Sequence, residues 1–169
     1  MELYDSSKDG MLDAEELESA PGLKYVAERI DSDQDGMLST GEIESMIDAW
    51  NENEVGLGTA QCAVKLGRRP LGKADIRLEP APFLVGNIET AIGRTDQFGN
   101  AQLTVPKDKR PIPDCPPGVQ VGVYHVVISK EQGDKETVPT KYNTETTLGQ
   151  EVSYSDPIVS SIKVFELRK

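Results

Sequence analysis

Hydrophobic positions change their period once along this chain. In LKYVAERI, residues 23–30, Leu23, Val26, Ala27 and Ile30 fall on one stripe. After Gly41, Ile43, Met46, Ile47 and Trp50 recur at i, i+3, i+4 and i+7. Both spacings predict helices with one face toward a core, where Met46 and Trp50 serve packing. A shorter helical segment begins at Leu17 and is expected to stop at Pro21-Gly22, a pair that breaks helices. From Thr59 onward the period falls to 2. Cys62, Val64 and Leu66 alternate with Gln61, Ala63 and Lys65; Ala74, Ile76 and Leu78 alternate with Asp75, Arg77 and Glu79 after the turn signal GRRPLG. Residues 87–95, 100–105, 119–129 and 158–167 are further predicted strands. Short strands between Gly, Pro and Asp turns predict an antiparallel β-sandwich. PKDKRPIPDCPPG, residues 106–118, holds too many prolines for a central strand and reads as a long loop.

Charge divides at the same place as the period. Residues 1–54 carry 16 acids and 3 bases, net −13; residues 55–169 carry 13 acids and 15 bases, net +2. VGLG, residues 55–58, reads as the joint, which predicts a helical domain over 1–54 and a β domain over 55–169. There is no basic patch to argue for nucleic acid, and the acidic part would repel phosphate. No apolar run approaches the roughly 18 residues that read as a membrane span.

The acids are not scattered. DSDQDGMLSTGE, residues 31–42, places carboxylates at Asp31, Asp33, Asp35 and Glu42 around Gly36. DSSKDGMLDAEE, residues 5–16, repeats the spacing with Asp5, Ser7, Asp9, Asp13 and Glu16 around Gly10. Like charges so close repel, and a hard cation with many oxygen ligands removes the repulsion. Both stretches fit the EF-hand loop D-x-[DN]-x-[DN]-G-x5-E, whose ligands lie at positions 1, 3, 5, 7, 9 and 12. The expected Ca2+ ligands are Asp5, Ser7, Asp9, the Met11 carbonyl, Asp13 and Glu16 in one loop. In the other they are Asp31, Asp33, Asp35, the Met37 carbonyl, Ser39 through a water, and Glu42. Each loop keeps four carboxylates. Leu12 and Leu38, at position 8, should point inward and bridge the loops. Without a cation, Glu42 is expected to find no backbone partner for its oxygens.

The first part of the chain thus resembles a paired EF-hand region, with two bound Ca2+ ions implied. The loops start 26 residues apart, a compact arrangement, and only MELY precedes Asp5, so the first entering helix is nearly absent. Dockerins also pair two calcium loops over a short span, which makes a calcium-dependent docking module the alternative. Their loops usually end in Asp, whereas both loops here end in Glu. A sensor exposing an apolar groove is disfavoured by the compact hand and by only four methionines.

Over residues 55–169, the order of PLGKADIRLEP, TDQFGNAQLTV and PPGVQVGVYHVVISK resembles the carboxypeptidase regulatory-like, transthyretin-like domains. VPTKYNTETTLGQEV and the closing IKVFEL are similar to a version found in secreted bacterial proteins. The Pro-rich insertion and the extra VQV before Gly122 depart from that pattern. Taken together, the expected fold is multi-domain, α plus all-β: a compact EF-hand pair followed by an antiparallel transthyretin-like β-sandwich.

Within the strands, Gly99 should take the positive φ of a tight hairpin, Asp96 should cap its own turn, and Tyr124 should face the core with its hydroxyl on a backbone partner. His125 is the sole histidine, with no nucleophile motif or nucleotide-binding fingerprint beside it, and is expected half-buried and neutral or on the surface. The transthyretin-like hydrolases of hydroxyisourate use several histidines and a Tyr-Arg-Gly-Ser ending; this chain ends FELRK, and no enzyme activity is expected. Cys62 and Cys115 fit two buried thiols or one disulfide equally. The chain begins almost inside a calcium loop, which suggests a segment of a longer exported precursor, extracellular or periplasmic. The expected role is a calcium-binding, non-catalytic accessory or structural region with a protein or cell-surface partner.

Overall fold

The computed structural model describes residues 3–52, 57–111, 115–133, 135–154 and 156–169. Where the period is 2, strands form. In chain order they are β1 (Met11–Leu12), β2 (Leu38–Ser39), β3 (Ala60–Leu66), β4 (Arg69–Pro70), β5 (Asp75–Pro80) and β6 (Ala91–Arg94). They continue as β7 (Asn100–Leu103), β8 (Gly122–Ser129), β9 (Glu131–Gln132), β10 (Lys135–Glu136), β11 (Gly149–Val152) and β12 (Ile162–Leu167). The helices are α1 (Pro21–Ile30), α2 (Thr40–Glu52) and the single turn α3 (Pro157–Ser160).

One sheet runs β11-β8-β5-β6, and a second joins β12, β3 and β4, with β7 also on β3. Reciprocal backbone hydrogen bonds between Ile92 and Thr104 tie the two along one side. Their inward positions form a shared core that includes Val64, Ile76, Leu78, Leu103, Tyr124, Val126, Ile128 and Phe165. The pairing is not wholly antiparallel as expected: β12 runs parallel to β3. A hairpin cannot join parallel neighbours, so the chain crosses between the sheets through α3, where a strand from Ile158 was expected. Residues 87–90 and 119–121 likewise stay outside the named strands apart from single bridges at Ile88 and Val119.

The hairpin and core details follow their residues. Gly99 has φ +84°, and Asp96 Oδ1 accepts from Phe98 N (2.8 Å) and Asn100 N (2.9 Å). Tyr124 is fully buried and its hydroxyl donates to the Gln120 carbonyl at 2.7 Å. Cys62 and Cys115 are both free thiols; burial pushes the Cys62 thiol up to about 12. The Pro-rich segment 106–118 holds one short 3-10 turn and no strand among its described residues.

The helices do not stand apart from the sheets. Leu23, Val26, Ile30, Ile43 and Met46 are buried together with Val123 of β8 and with Ala81 and Leu84 beyond β5. β8 is therefore covered on both faces, with Val123 under the helices and Tyr124, Val126 and Ile128 in the sheet core. This explains its near-continuous run of apolar residues. Pro21 does not stop a helix but opens one, at a position whose N–H needs no partner within the helix. Gly22 and Gly149 let that first turn lie directly on the sheet: a methyl at Gly149 would overlap the Pro21 carbonyl. The segment from Leu17 is a single 3-10 turn, Glu16–Ser19.

The expected fold class is therefore corrected. The chain folds as one mostly β unit with two helices longer than a turn laid on it, not as a helical pair followed by an independent sandwich. The change in charge and period marks a change of layer, because the sheet's outer face needs cover and the helices' apolar stripes supply it. The proposed boundary between residues 54 and 55 lies outside the described residues. Among the described residues, no helix is long and apolar enough to cross a membrane.

Candidate metal centre

Both acidic loops adopt the same backbone. Gly10 and Gly36 have φ of +87° and +82°, and Lys8 and Gln34, two residues earlier, also lie in the left-handed region at +63° and +61°. The turn is held by the first aspartate of each loop. Asp5 accepts from Lys8 N (2.6 Å) and Gly10 N (3.0 Å); Asp31 accepts from Gln34 N (2.7 Å) and Gly36 N (3.0 Å). Asp9 and Asp35 each accept from the second residue after them, Met11 N at 2.9 Å and Met37 N at 2.8 Å. Leu12 faces Leu38 across the β1–β2 pair, and both are fully buried, so the loops share one apolar hinge.

The closing glutamates are where the expectation fails. Glu42 Oε1 accepts from Ser32 N (2.7 Å) and Ser32 Oγ (3.0 Å), and Oε2 accepts from Ser39 N (2.9 Å) and Ser39 Oγ (2.9 Å). The backbone bonds from Ser39 and Ser32 pull its carboxyl down to about 2. Glu16 is held alike, by Ser6 N (2.8 Å), Ser6 Oγ (3.0 Å), Ser7 N (2.9 Å) and Asp13 N (3.2 Å), and is lowered chiefly by the bond from Ser7. Neither glutamate lacks backbone partners. A carboxylate has about four acceptor sites, and all four on Glu42 receive a donor. A cation would have to displace the two serine hydroxyls, which can rotate away, and keep the backbone bonds. Sequence reasoning missed Ser6 and Ser32, although the Asp-Ser pair that opens both loops was a signal for them.

Of the expected ligands, Asp31, Asp33 and Asp35 are brought together, with carboxylate oxygens within 4.8 Å of one another. Among the described residues, no other trio of acidic, His or Cys groups converges this closely. In the first loop Ser7 takes the middle place, its hydroxyl donating to Asp5 Oδ1 at 3.2 Å. Asp13 is drawn off to cap the turn after it, accepting from Glu15 N (2.8 Å) and Glu16 N (2.9 Å). Ser39, its counterpart, accepts from Glu42 N (3.3 Å). His125 lies apart from both loops on β8, half-buried, its Nε2 without a hydrogen-bond partner and its pKa lowered by burial.

Comparison with protein-family profiles, curated proteins and solved structures finds no match to this chain. The resemblances to a paired EF-hand region and to the carboxypeptidase regulatory-like, transthyretin-like domains are therefore set aside. The architecture gives the physical reason. Two paired hands need a helix on each side of each loop, and here the first loop is followed by a single 3-10 turn and only α1 and α2 flank the second. What stays is the local chemistry of the loops.

Proposed function

We propose that the chain binds calcium through its two acidic loops, and that the bound ions fasten the helical layer to the sheets in a non-catalytic, structural role. The observation that carries this reading is the convergence of Asp31, Asp33 and Asp35 at the turn made by Gly36, with Glu42 closing the loop. A cluster of hard, anionic oxygens suits a hard cation, and a flexible cage of six to eight oxygens suits Ca2+ better than the smaller, strictly octahedral Mg2+. The first loop supports a second, weaker ion, since Ser7 offers a neutral oxygen where the second loop has Asp33. In an exported protein, where such modules bind with Kd of roughly 10^-4 to 10^-3 M, both sites would fill. Calorimetry with Ca2+ on wild type, Glu16→Gln and Glu42→Gln tests the proposal. Each substitution is expected to remove one site, and no uptake by wild type at millimolar calcium would overturn it.

A further inference from the structure

Glu151, on β11, has a side chain only 4 % exposed, and each of its oxygens meets a donor from the helical layer. Arg29 Nη2, from the last turn of α1, lies 2.8 Å from Oε2. Trp50 Nε1, from α2, donates to Oε1 at 3.2 Å. One buried carboxylate thus takes its cation from one helix and its neutral donor from the other. A second polar contact braces the same side of α1: Tyr25, one turn before Arg29, donates to Asp156 Oδ2 at 2.9 Å, and Gln150 Nε2 donates to Asp156 Oδ1 at 2.9 Å.

Both helices that reach Glu151 are the ones joined by the loop at 31–42. Arg29 stands two residues before Asp31, and α2 begins at Thr40 and carries Glu42 in its first turn. The angle between α1 and α2 is set by that loop, and both must be in place for two donors to meet two oxygens of one carboxylate. We propose that Glu151 is a positioning residue through which ion binding at residues 31–42 and docking of the helices on the sheet become one equilibrium. This rests on the calcium reading above. A cation held by Asp31, Asp33 and Asp35 would fix the end of α1 and the start of α2, and with them the two donors that meet on Glu151. Linkage then runs both ways: losing the Glu151 contacts weakens calcium binding by the factor that calcium strengthens docking. The two donors to Glu151 come from the helices on either side of the second loop, whereas the first loop leads into a 3-10 turn.

Trp50 is the chain's single tryptophan and reports docking directly. The full-length chain carrying Glu16→Gln, so that only the second loop is read, is titrated with Ca2+ by calorimetry and by Trp50 emission. The same is done with Glu151→Gln and with Arg29→Gln added, and with Glu18→Gln as a surface control. Expected are an emission change that tracks calcium uptake, a Kd raised about five- to tenfold by either substitution, and no shift for the control. The two together should cost little more than one, because they remove the same contact. If calcium binds but emission stays flat and both variants keep the parent Kd, the coupling is wrong and the calcium reading stands. If the parent takes up no calcium, both fall. Should Glu151→Gln not fold, Arg29→Gln decides alone, since that side chain is 53 % exposed.

Discussion

The two acidic loops have the same backbone and different surroundings. Residues 5–16 and 31–42 share the left-handed residues at their fourth and sixth positions, the aspartate that closes the turn, and a glutamate held by a serine from the second position. They differ in the oxygens at the middle of the loop and in the element at its C-terminal end. The second loop presents three converging carboxylates and leads into a helix of 13 residues that reaches the sheet. The first offers a hydroxyl in the middle and leads into a turn of four residues. A loop conformation is thus a local property, whereas the effect of an ion bound there depends on the elements to which the loop's ends are tied.

The severest way to break this comparison is to remove the contact that the loops share. Leu38→Ala deletes a fully buried side chain from the hinge between them and should cost about 2–5 kcal/mol of stability, measured by urea denaturation. It should also weaken calcium binding at both loops. Loss at one loop alone would show that the hinge is not common to them. Gly149→Ala comes next. Its methyl would overlap the Pro21 carbonyl and lift α1, an overpacking cost of about 1–3 kcal/mol. The second loop, which directly succeeds α1, should then bind calcium less tightly while the first keeps its affinity.

Exchanging the middle residues sharpens the contrast. Asp33→Ser should weaken the second site and Ser7→Asp strengthen the first, each by roughly tenfold, or about 1.4 kcal/mol, in calorimetric titrations. If Ser7→Asp leaves the first site unchanged, the short turn that follows the loop, rather than the hydroxyl at Ser7, limits it. The smallest effect is with pH in calcium-free buffer. Glu42 has its carboxyl lowered from 4.5 to about 2, so the stability its bonds supply is fully present above pH 4.5 and is lost as pH falls toward 2. The difference in stability between wild type and Glu42→Gln should shrink across that window. Glu16, lowered in the same sense, should behave alike. A difference that instead vanished near neutrality would rule out the hydrogen-bonded carboxylate described here.

Much of the local structure could be read in advance. The stripes of the helices, the alternating strands at Cys62–Leu66 and Ala74–Leu78, the turn at Gly99 and the buried ring of Tyr124 come from side-chain size, period and backbone freedom, which act within a few residues. The bends of both loops were visible in the same way, through Gly10 and Gly36. The serine hydroxyls on Glu16 and Glu42 were not visible in the charge pattern, because a neutral residue beside an aspartate adds nothing to it.

Chain order alone could not decide how the layers meet. Nothing near Ile162 says that β12 will lie parallel to β3, since that pairing joins residues about a hundred positions apart. Pro21-Gly22 reads as a break until Gly149 is beneath it and the pair becomes the place where a helix starts and touches a sheet. Glu151 reads as one more acid outside the predicted strands until β11 forms and Arg29 and Trp50 reach it from two different helices. The sequence by itself determined the period of each segment, the turns and the acidity of the loops, because those depend on neighbouring residues. Only the tertiary structure decided that the helical and β parts are one body and that a buried carboxylate joins them, because burial and long-range pairing exist only once distant segments have met.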